Sequence, residues 1–491
     1  MKNISGIIFP MSNSNAKTKV TLLPGDGIGP EVSKATQEVL SAAGAAIEWE
    51  EAIAGHQAFT KGINSGVPTE TMDSISKTKL VLKGPLATPI GYGQKSANVT
   101  LRKFFETFAN IRPAKEIPGV PSAFVGRGID LVIVRENVED LYAGIEHMQT
   151  PNVAQCLKVI SRLGSQRISD AAFAFAKSEG RKKVTVATKA NIMKMTEGLF
   201  KSEFEKVSQH FPDIEAQHML IDNCAHQLVM KPEQFDVIVT TNMNGDILSD
   251  LASGLVGGLG FAPSSNIGYE VAMFEAVHGT APDIAGKGVA NPTAMIQSAI
   301  MLLRHIGDFA TAQKVEHALF ATLKSGIQTR DIKSEGAVGT REFVDAIIGN
   351  LTDIKEVTAR EYKPLDLRRI THSNSDYMPA SRMKKGADIF LESTESPAKI
   401  AEQLQVLIQG TPYTLKMVSN RGTQVWPETG ATPSMVDCFR CRFIIKDFES
   451  WHPDSILDLL ARVGKKFRWM HVERLENLDG EDMFTKAQGE N

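Results

Sequence analysis

Residues 19–31, KVTLLPGDGIGPE, join a short apolar strand to a glycine-rich turn and to the start of a helix. Pro30 suits the first position of a helix, and Glu31 suits the positive end of the helix dipole. The turn does not satisfy the dinucleotide-binding pattern G-x-G-x-x-G, because proline occupies the sixth position. This stretch therefore predicts a strand, a turn and a helix, and by itself it predicts no nucleotide site.

Four further apolar segments have the length of strands, and each is followed by helical periodicity. They are Lys79–Lys83, Leu131–Arg135, Val184–Thr188 and Val237–Thr241. Such alternation predicts an α/β fold class, with helices layered on a sheet. Residues 294–305, AMIQSAIMLLRH, are apolar nearly all round and predict a buried helix.

The composition excludes several classes of protein. The 491 residues carry 54 Lys plus Arg against 57 Asp plus Glu, so the chain lacks the strongly basic character of nucleic-acid binders. No apolar run approaches the ~18 residues of a membrane span. Four cysteines in this length do not make a disulfide framework and favour a reducing compartment. We predict a cytoplasmic protein with no nucleic-acid partner and no membrane partner.

The chain divides into four parts. Residues 1–17 lack both the apolar length of a signal peptide and the arginines of a transit peptide, so we predict a flexible leader. Residues 18–352 carry the alternating pattern, and the polar, weakly periodic residues 353–386 predict a linker. Residues 387–491 again show strands and helices and hold three of the four tryptophans. They predict a small C-terminal α/β domain with its own core.

Candidate metal ligands lie near residue 246. Asp246 and Asp250 are four residues apart, so a helix would present both carboxylates on one face. A divalent cation such as Mg²⁺ or Mn²⁺ would relieve their repulsion, since hard cations prefer carboxylate oxygens. Asp222, which follows a short apolar segment, is a third candidate ligand. The alternatives are a solvated acidic face for the pair and an ordinary turn aspartate for Asp222.

A second group of side chains suits an anionic substrate. It consists of Ser96, Asn98, Arg102, Arg112 and Arg135. Arginine binds carboxylates bidentately, so convergent arginines would suit a substrate with several carboxylates. Lys189 and Tyr142 are candidate proton-transfer groups by residue type alone. The alternative for each of these residues is an ordinary structural role.

Together these segments resemble the β-decarboxylating dehydrogenases (the isocitrate/isopropylmalate dehydrogenase family), and most closely the long bacterial form of isocitrate dehydrogenase. The motifs that carry the resemblance are GDGIGPE (25–31), SANVTLRK (96–103), RENVEDLYAGIE (135–146), TKANIMK (188–194), NMNGDILSD (242–250) and HGTAPDIAGKGVANP (278–292). Two further motifs, LKMVSNRGTQV (415–425) and FRWMH (467–471), resemble the extra C-terminal domain of that long form.

The resemblance implies an isopropylmalate dehydrogenase-like, non-Rossmann fold with two domains in the catalytic region. The large domain would comprise residues 18–120 and 270–352, and the small, dimer-forming domain residues 121–269. The resemblance also implies a homodimer whose active sites are shared between subunits. The implied reaction is the oxidative decarboxylation of isocitrate to 2-oxoglutarate and CO₂ in the tricarboxylic acid cycle.

The resemblance also assigns roles to the residues already quoted. Tyr142 would be the general acid, and Lys189, contributed by the partner subunit, would be the general base. Asp246 and Asp250, with Asp222 of the partner subunit, would hold Mg²⁺ or Mn²⁺. The isocitrate-binding set would be Ser96, Asn98, Arg102, Arg112 and Arg135. Family members that act on isopropylmalate lack the Ser-x-Asn pattern, so isocitrate is favoured over homoisocitrate and isopropylmalate, which are the alternatives.

The implied coenzyme is a nicotinamide dinucleotide. Its binding residues would be Lys83, Thr88, Glu275, His278, Gly279, Thr280, Ala281, Asp283, Ile284 and Asn291. NADP-using members commonly carry Lys-Tyr where this chain has Asp283 and Ile284. A carboxylate accepts hydrogen bonds from both ribose hydroxyls and repels a 2′-phosphate, whereas Arg330 is the one residue that favours a phosphate. We therefore predict NAD, with NADP as the alternative. A non-catalytic regulatory subunit is disfavoured, because the metal and proton-transfer residues are all present.

Overall fold

A computed structural model describes residues 17–88, 95–351, 365–371, 377–431 and 433–490. The chain divides into two units, each with its own hydrophobic core: residues 1–143 with 158–371, and residues 144–157 with 372–491. The predicted leader lies outside the described residues except for Lys17. None of the helices in the described ranges is both long and apolar enough to span a membrane.

The stretch 19–31 folds as the sequence predicts. Strand β1 (Thr18–Leu23) leads into the turn, and helix α1 (Gly29–Ala43) begins with Pro30 in its first turn. The turn glycines Gly25 and Gly27 have φ angles of +85° and +60°, which residues with side chains disfavour. The chain therefore reverses sharply between β1 and α1 and brings the turn close to neighbouring loops.

The first unit continues the predicted alternation of strands and helices. After α1 come β2 (Ile47–Glu51), α2 (His56–Thr60), α3 (Thr69–Thr78), β3 (Leu80–Lys83), α4 (Ala97–Phe104), β4 (Ala109–Lys115) and β5 (Asp130–Glu136). The strands β6 (Glu146–Thr150) and β7 (Val153–Cys156) then form a hairpin that belongs to the second unit. The first unit resumes with α5 (Arg162–Ser178), β8 (Lys183–Thr188), α6 (Thr196–Ser208), β9 (Glu215–Leu220), α7 (Ile221–Met230), β10 (Val237–Thr240), α8 (Asn242–Leu255), β11 (Pro263–Ile267), β12 (Ala272–Ala276), α9 (Thr293–His305), α10 (Phe309–Lys324) and α11 (Thr340–Asn350).

Ten strands of the first unit form one sheet, in the order β2-β1-β3-β12-β11-β4-β5-β10-β8-β9. Strand β11 is antiparallel to both β12 and β4, and β4 is antiparallel to β5, whereas the other pairs are parallel. The sheet thus reverses direction at its centre. Strands from the predicted large domain and from the predicted small domain meet there, so both regions contribute to a single sheet.

Besides the β6–β7 hairpin, the described part of the second unit contains a six-stranded antiparallel sheet and two helices. Its elements are β13 (Arg382–Glu392), α12 (Pro397–Leu407), β14 (Tyr413–Asn420), β15 (Thr423–Trp426), β16 (Cys438–Ile445), α13 (Ser455–Val463), β17 (Arg468–Leu478) and β18 (Glu481–Asp482), with the strand order β15-β14-β16-β13-β17-β18. The apolar side chains of α12 and α13 pack with those of the sheet into a separate core, as Leu404, Leu459 and Phe443 illustrate.

The structure differs from the predicted boundaries at two points. Residues 144–157, predicted as part of the catalytic region, belong to the second unit, where Thr150 donates a hydrogen bond of 2.8 Å to Asp437. The predicted linker, residues 353–386, is shorter, because residues 382–386 pair with β17 as part of β13. Arg368 pairs with the buried Asp170, which attaches residues 365–371 to the first unit. Residues 353–364 and 372–376 of that linker lie outside the described part of the chain.

Candidate active site

The glycine-rich turn is built for close backbone contact with two other loops. The backbone N–H of Asp26 donates to the carbonyl of Pro85 (2.7 Å), and that of Ile28 donates to the carbonyl of Thr280 (2.9 Å). A Cβ atom on Gly27 would lie 1.9 Å from the Thr280 oxygen, which no side chain permits. Gly27 is therefore required for contact with the loop that carries the predicted coenzyme residues.

Two predicted coenzyme residues, Lys83 at the end of β3 and Glu275 near the end of the neighbouring strand β12, stand opposite each other in register. They form a buried ion pair, and Arg102 contacts the other carboxylate oxygen of Glu275 at 3.0 Å. Burial by itself would raise the pKa of Glu275, but the charges of Lys83 and Arg102 outweigh it and hold this pKa far below its ordinary value. The carboxylate stays ionised and keeps both cations in place.

The remaining coenzyme candidates lie in and around the loop after β12. Gly279, Thr280 and Ala281 lead into a one-turn helix, Pro282–Ile284, which leaves Asp283 and Ile284 exposed. Asn291 accepts a hydrogen bond of 3.0 Å from the backbone of Thr293 and thereby fixes the start of α9. Thr88 lies between β3 and α4, and its hydroxyl is 3.2 Å from that of Ser96. Within the described residues, the buried Nε2 of His278 has no hydrogen-bond partner.

The predicted substrate residues of α4 share one face of the helix. Ser96 precedes the helix, and its side chain makes no capping bond. Asn98 and Arg102 are one turn apart, so both side chains extend from the same side. The structure describes no hydrogen-bond partner for two buried atoms, Oδ1 of Asn98 and Nε of Arg102. Since buried polar atoms are normally paired, these two atoms mark where a polar ligand fits.

Arg112 and Arg135 project from the central strands β4 and β5. Arg112 donates to Asn110 (2.6 Å) and to Ser249 (2.6 Å), and Arg135 donates to Asn242 (2.8 Å). Burial, together with the neighbouring charges of Arg112 and Arg102, lowers the pKa of Arg135 to about 10. The structure therefore brings the three predicted arginines close together, as a substrate with several carboxylates requires.

Asp246 lies at the meeting point of these groups. It accepts hydrogen bonds from Arg135, from Arg112 (3.4 Å) and from the Tyr142 hydroxyl (2.6 Å). Burial and the bond to Asp246 raise the pKa of Tyr142, so its phenol stays protonated at neutral pH. Gly245 is needed beside it, because a Cβ there would lie 2.6 Å from the Arg135 side chain.

The two predicted metal ligands of α8 are one helical turn apart, as the sequence predicts. Asp250 lies 3.8 Å from Arg112, and burial raises its pKa. Carboxylate oxygens suit Mg²⁺ or Mn²⁺, so the donor type fits the predicted ion. Among the described residues of one chain, no group of three or more His, Cys, Asp or Glu side chains is gathered for a metal. The α8 pair therefore supplies two candidate ligands, and a third from a second chain stays a prediction.

Lys189 and Asp222 form a separate pair. The Lys189 ammonium donates to Asp222 at 2.8 Å, and both side chains are partly exposed. This contact lowers the pKa of Asp222. No hydrogen bond or ion pair between described residues joins this pair to Tyr142 or Asp246 of the same chain. Tyr142, the predicted acid, thus contacts Asp246, whereas Lys189, the predicted base, contacts Asp222.

Several site residues have no counterpart in the prediction from sequence. Asn110 and Asn266 are buried in the central strands, and they connect Glu275 to Arg112 through hydrogen bonds. Asn242 holds Arg135 from the first position of α8. The sequence does hold a signal for the two strand residues, since an amide side chain inside a buried strand must find partners. Nothing in the sequence indicates which partners they find.

Glu136 is a buried carboxyl directly after Arg135. It accepts hydrogen bonds from the backbone of Val138 (2.8 Å) and Glu139 (3.0 Å). Burial, aided by the charge of Glu139, raises its pKa to about 7. The folded protein therefore binds a proton here over a range of pH in which the unfolded chain has lost it.

We expect Glu136→Gln to make the protein more stable than wild type at alkaline pH. The wild-type free energy of unfolding falls between pH 4.5, the ordinary pKa of a glutamate, and about 7, the pKa of Glu136 in the folded protein. In this range only the folded state is protonated at Glu136. The amide stays neutral and keeps an acceptor oxygen, so the variant's advantage grows by about 3 kcal/mol across this range and then stays constant. Urea unfolding from pH 5 to 8 measures it. The exposed control Glu335→Gln should follow wild type, and parallel curves for Glu136→Gln and wild type would contradict the assignment.

Comparison with protein families gives the affiliation of this fold and site. Residues 19–347 match the family described as isocitrate/isopropylmalate dehydrogenase. The chain belongs to this family. Residues 382–490 of this dehydrogenase also match the family described as bacterial isocitrate dehydrogenase, C-terminal domain. The predicted fold class and the predicted long bacterial form are both confirmed.

The dehydrogenase is similar over nearly its whole length to proteins from two bacterial genera. It is 57% identical over 474 residues to isocitrate dehydrogenase [NADP] of Thermus thermophilus, covering 96% of each chain. It is 40% identical over 484 residues to isocitrate dehydrogenase [NADP] of Rickettsia bellii, covering 96% of this chain and 99% of that protein. The names of these relatives favour the NADP alternative and do not support the NAD preference predicted from the sequence.

A solved structure shows the same architecture. The crystal structure of the TT0538 protein from Thermus thermophilus superposes with a TM-score of 0.94 at 56% identity, covering 98% of this chain and 97% of that chain. Both units of the dehydrogenase are therefore represented in a protein of known structure.

Proposed function

We propose that this chain catalyses the oxidative decarboxylation of isocitrate to 2-oxoglutarate and CO₂, using a nicotinamide coenzyme and Mg²⁺ or Mn²⁺. The observation that carries the proposal is the contact of Tyr142, Arg112 and Arg135 with one carboxylate, Asp246. It joins a proton donor and an anion-binding group at a candidate metal ligand. The names of the Thermus and Rickettsia relatives support the same reaction.

The chain's residues would bind and orient the substrate as follows. Arg102, Arg112 and Arg135 would each hold a carboxylate of isocitrate, and the amide nitrogen of Asn98 would donate a hydrogen bond to a carboxylate oxygen. Ser96, whose hydroxyl does not cap α4 and lies 3.2 Å from that of Thr88, would donate a hydrogen bond to the carboxylate arm that isopropylmalate lacks. Homoisocitrate, whose arm is one methylene longer, and isopropylmalate, which carries an alkyl group there, are the competing substrates, and both would fit less well.

Proton transfer would be divided between Lys189 and Tyr142. Lys189 of the partner subunit would take the proton of the substrate hydroxyl, and Tyr142 would protonate C3 after CO₂ leaves. When bound, the metal held by Asp246, Asp250 and Asp222 of the partner subunit would polarise the substrate oxygens, and the coenzyme would accept the hydride. Burial and the bond to Asp246 raise the pKa of Tyr142, so its phenol holds the proton that this role requires at neutral pH.

The choice of coenzyme has support on both sides. The names of the two relatives favour NADP. The exposed carboxylate of Asp283 and the apolar Ile284 favour NAD, because they offer no cation to a 2′-phosphate. Arg330, which is also exposed, is the side chain that would favour the phosphate.

Steady-state kinetics tests the proposed reaction. We expect formation of reduced coenzyme and 2-oxoglutarate from isocitrate with Mn²⁺, and loss of this activity after chelation with EDTA and its return with Mg²⁺ or Mn²⁺. Under the same conditions, kcat/KM for isopropylmalate should be at least ~10²-fold lower, since a site built for polar groups rejects analogues that lack them. For homoisocitrate, whose arm is one methylene longer, kcat/KM should be at least about tenfold lower. A preference for either analogue, or activity that survives chelation, would contradict the proposal.

A further inference from the structure

Lys158 holds together two carboxylates from different parts of the first unit. Its ammonium contacts Asp140 and lies 2.9 Å from Glu197. Both carboxylates are fully buried, and Lys158 is 13% exposed. Two buried anions this close repel each other strongly, so the cation between them is what keeps them together.

Asp140 carries the turn that contains Tyr142. Its φ angle is +65°, and its carbonyl accepts a hydrogen bond of 3.1 Å from Ala143, which closes the one-turn helix Leu141–Ala143. Its second carboxylate oxygen accepts a hydrogen bond of 2.8 Å from the backbone of Met243, in the first turn of α8. Asp140 therefore fixes the Tyr142 turn to the helix that presents Asp246.

Glu197 fixes the backbone of Lys189 in the way that Asp140 fixes the turn of Tyr142. It lies in the first turn of α6 and accepts a hydrogen bond of 3.1 Å from the backbone N–H of Lys189. Its other oxygen accepts a hydrogen bond of 3.3 Å from Thr241, which immediately precedes α8. The position of the Lys189 backbone is therefore set by a carboxylate that is itself held by Lys158.

We propose that Lys158 is a positioning residue that sets both proton-transfer groups, through Asp140 for Tyr142 and through Glu197 for Lys189. This inference rests on the proposed function, in which Tyr142 is the acid and Lys189 the base. Lys158 itself touches neither of these side chains. In a dimer with shared active sites, one Lys158 would position Tyr142 in one active site and Lys189 in the other.

The proposal predicts that coenzyme reduction and proton transfer at C3 can be impaired separately. Single-turnover formation of reduced coenzyme reports on Lys189, and exchange of the C3 protons of 2-oxoglutarate for deuterium, followed by NMR, reports on Tyr142. We expect Lys158→Met to slow both by about 10²-fold, as small misplacements of catalytic groups do. Asp140→Asn should slow mainly the exchange, and Glu197→Gln mainly coenzyme reduction. KM for isocitrate should change little, because Arg102, Arg112 and Arg135 do not contact Lys158.

The variants are chosen so that folding does not obscure the result. Asparagine tolerates the positive φ of residue 140, and both carboxylate variants keep the size and an acceptor oxygen of the native side chain. If Lys158→Met does not fold, Asp140→Asn and Glu197→Gln still test the proposal. Lys201→Met is the matched control, since Lys201 lies on α6 one turn from Glu197 and forms a surface ion pair with Glu205. It should behave as wild type.

A second measurement does not depend on activity. Amide hydrogen exchange by mass spectrometry should rise in residues 138–143 and 188–194 in Lys158→Met, only in 138–143 in Asp140→Asn, and only in 188–194 in Glu197→Gln. Equal effects of all variants on both steps and both segments, or no effect of a folded Lys158→Met, would overturn the proposal. Failure of wild type to oxidise isocitrate would instead overturn the proposed function, and the exchange pattern would still decide the role of Lys158.

Discussion

Hybrid dimers made from two inactive variants are expected to recover about half of the wild-type activity per dimer, because one of two shared sites is then intact. Tyr142→Phe removes the proposed acid and Lys189→Met the proposed base, and each variant alone should lose ~10²–10⁴-fold in kcat. In one chain Tyr142 contacts Asp246 and Lys189 contacts Asp222, with no hydrogen bond or ion pair between these groups among the described residues. The resemblance implies active sites shared between subunits, and the lack of a direct contact agrees with it, so we expect the two residues of a chain to serve different sites.

The hybrids are prepared by co-expressing the two variants with different affinity tags and purifying sequentially. If each site were built from one chain, every site of the hybrid would carry one defect, and the activity would stay at the level of the parent variants. Hybrids of two differently tagged Lys189→Met chains are the control, and they should remain inactive. Recovery of activity therefore distinguishes an active site shared between subunits from one built by a single chain. It requires no assumption about the metal.

Local features of this chain could be predicted from the sequence because each follows from neighbouring residues. The start of α1 at the turn before Pro30, the buried α9, and the placement of Asp246 and Asp250 on one helix all depend on spacings of four residues or fewer. The motifs hold most of the other predicted site residues, and the structure brings Arg135 of one motif together with Arg112 at Asp246. Periodicity and turn chemistry are local, and the structure agrees with them.

Long-range partners could not be predicted in this way. The reversal of strand direction at β11 and β4 decides that Asn110 and Asn266 meet between Glu275 and Arg112, and nothing local specifies it. Lys158 follows the hairpin that leaves the first unit, and its two carboxylates lie 18 and 39 residues away along the chain. Its contacts depend on the folded sheet, so sequence periodicity carries no trace of them.

The double variant Asp283→Lys with Ile284→Tyr is expected to raise the ratio of kcat/KM for NADP to kcat/KM for NAD by ~10²-fold or more, about 2.7 kcal/mol. Both residues lie in the exposed turn Pro282–Ile284, which follows Ala281 with its positive φ of +39°. Replacing a carboxylate by an ammonium there removes a repulsion for the 2′-phosphate and adds an attraction. The measurement is steady-state kinetics with saturating isocitrate and each coenzyme in turn.

This change in ratio is expected whichever coenzyme the wild type prefers, so it tests the recognition residues independently of that preference. Asp283→Asn, which removes the charge but keeps the shape, should move the ratio in the same direction by about tenfold, because one interaction changes instead of two. A ratio within threefold of wild type in the double variant would contradict the assignment of this turn to the adenosine ribose. The wild-type ratio itself then decides between NAD and NADP.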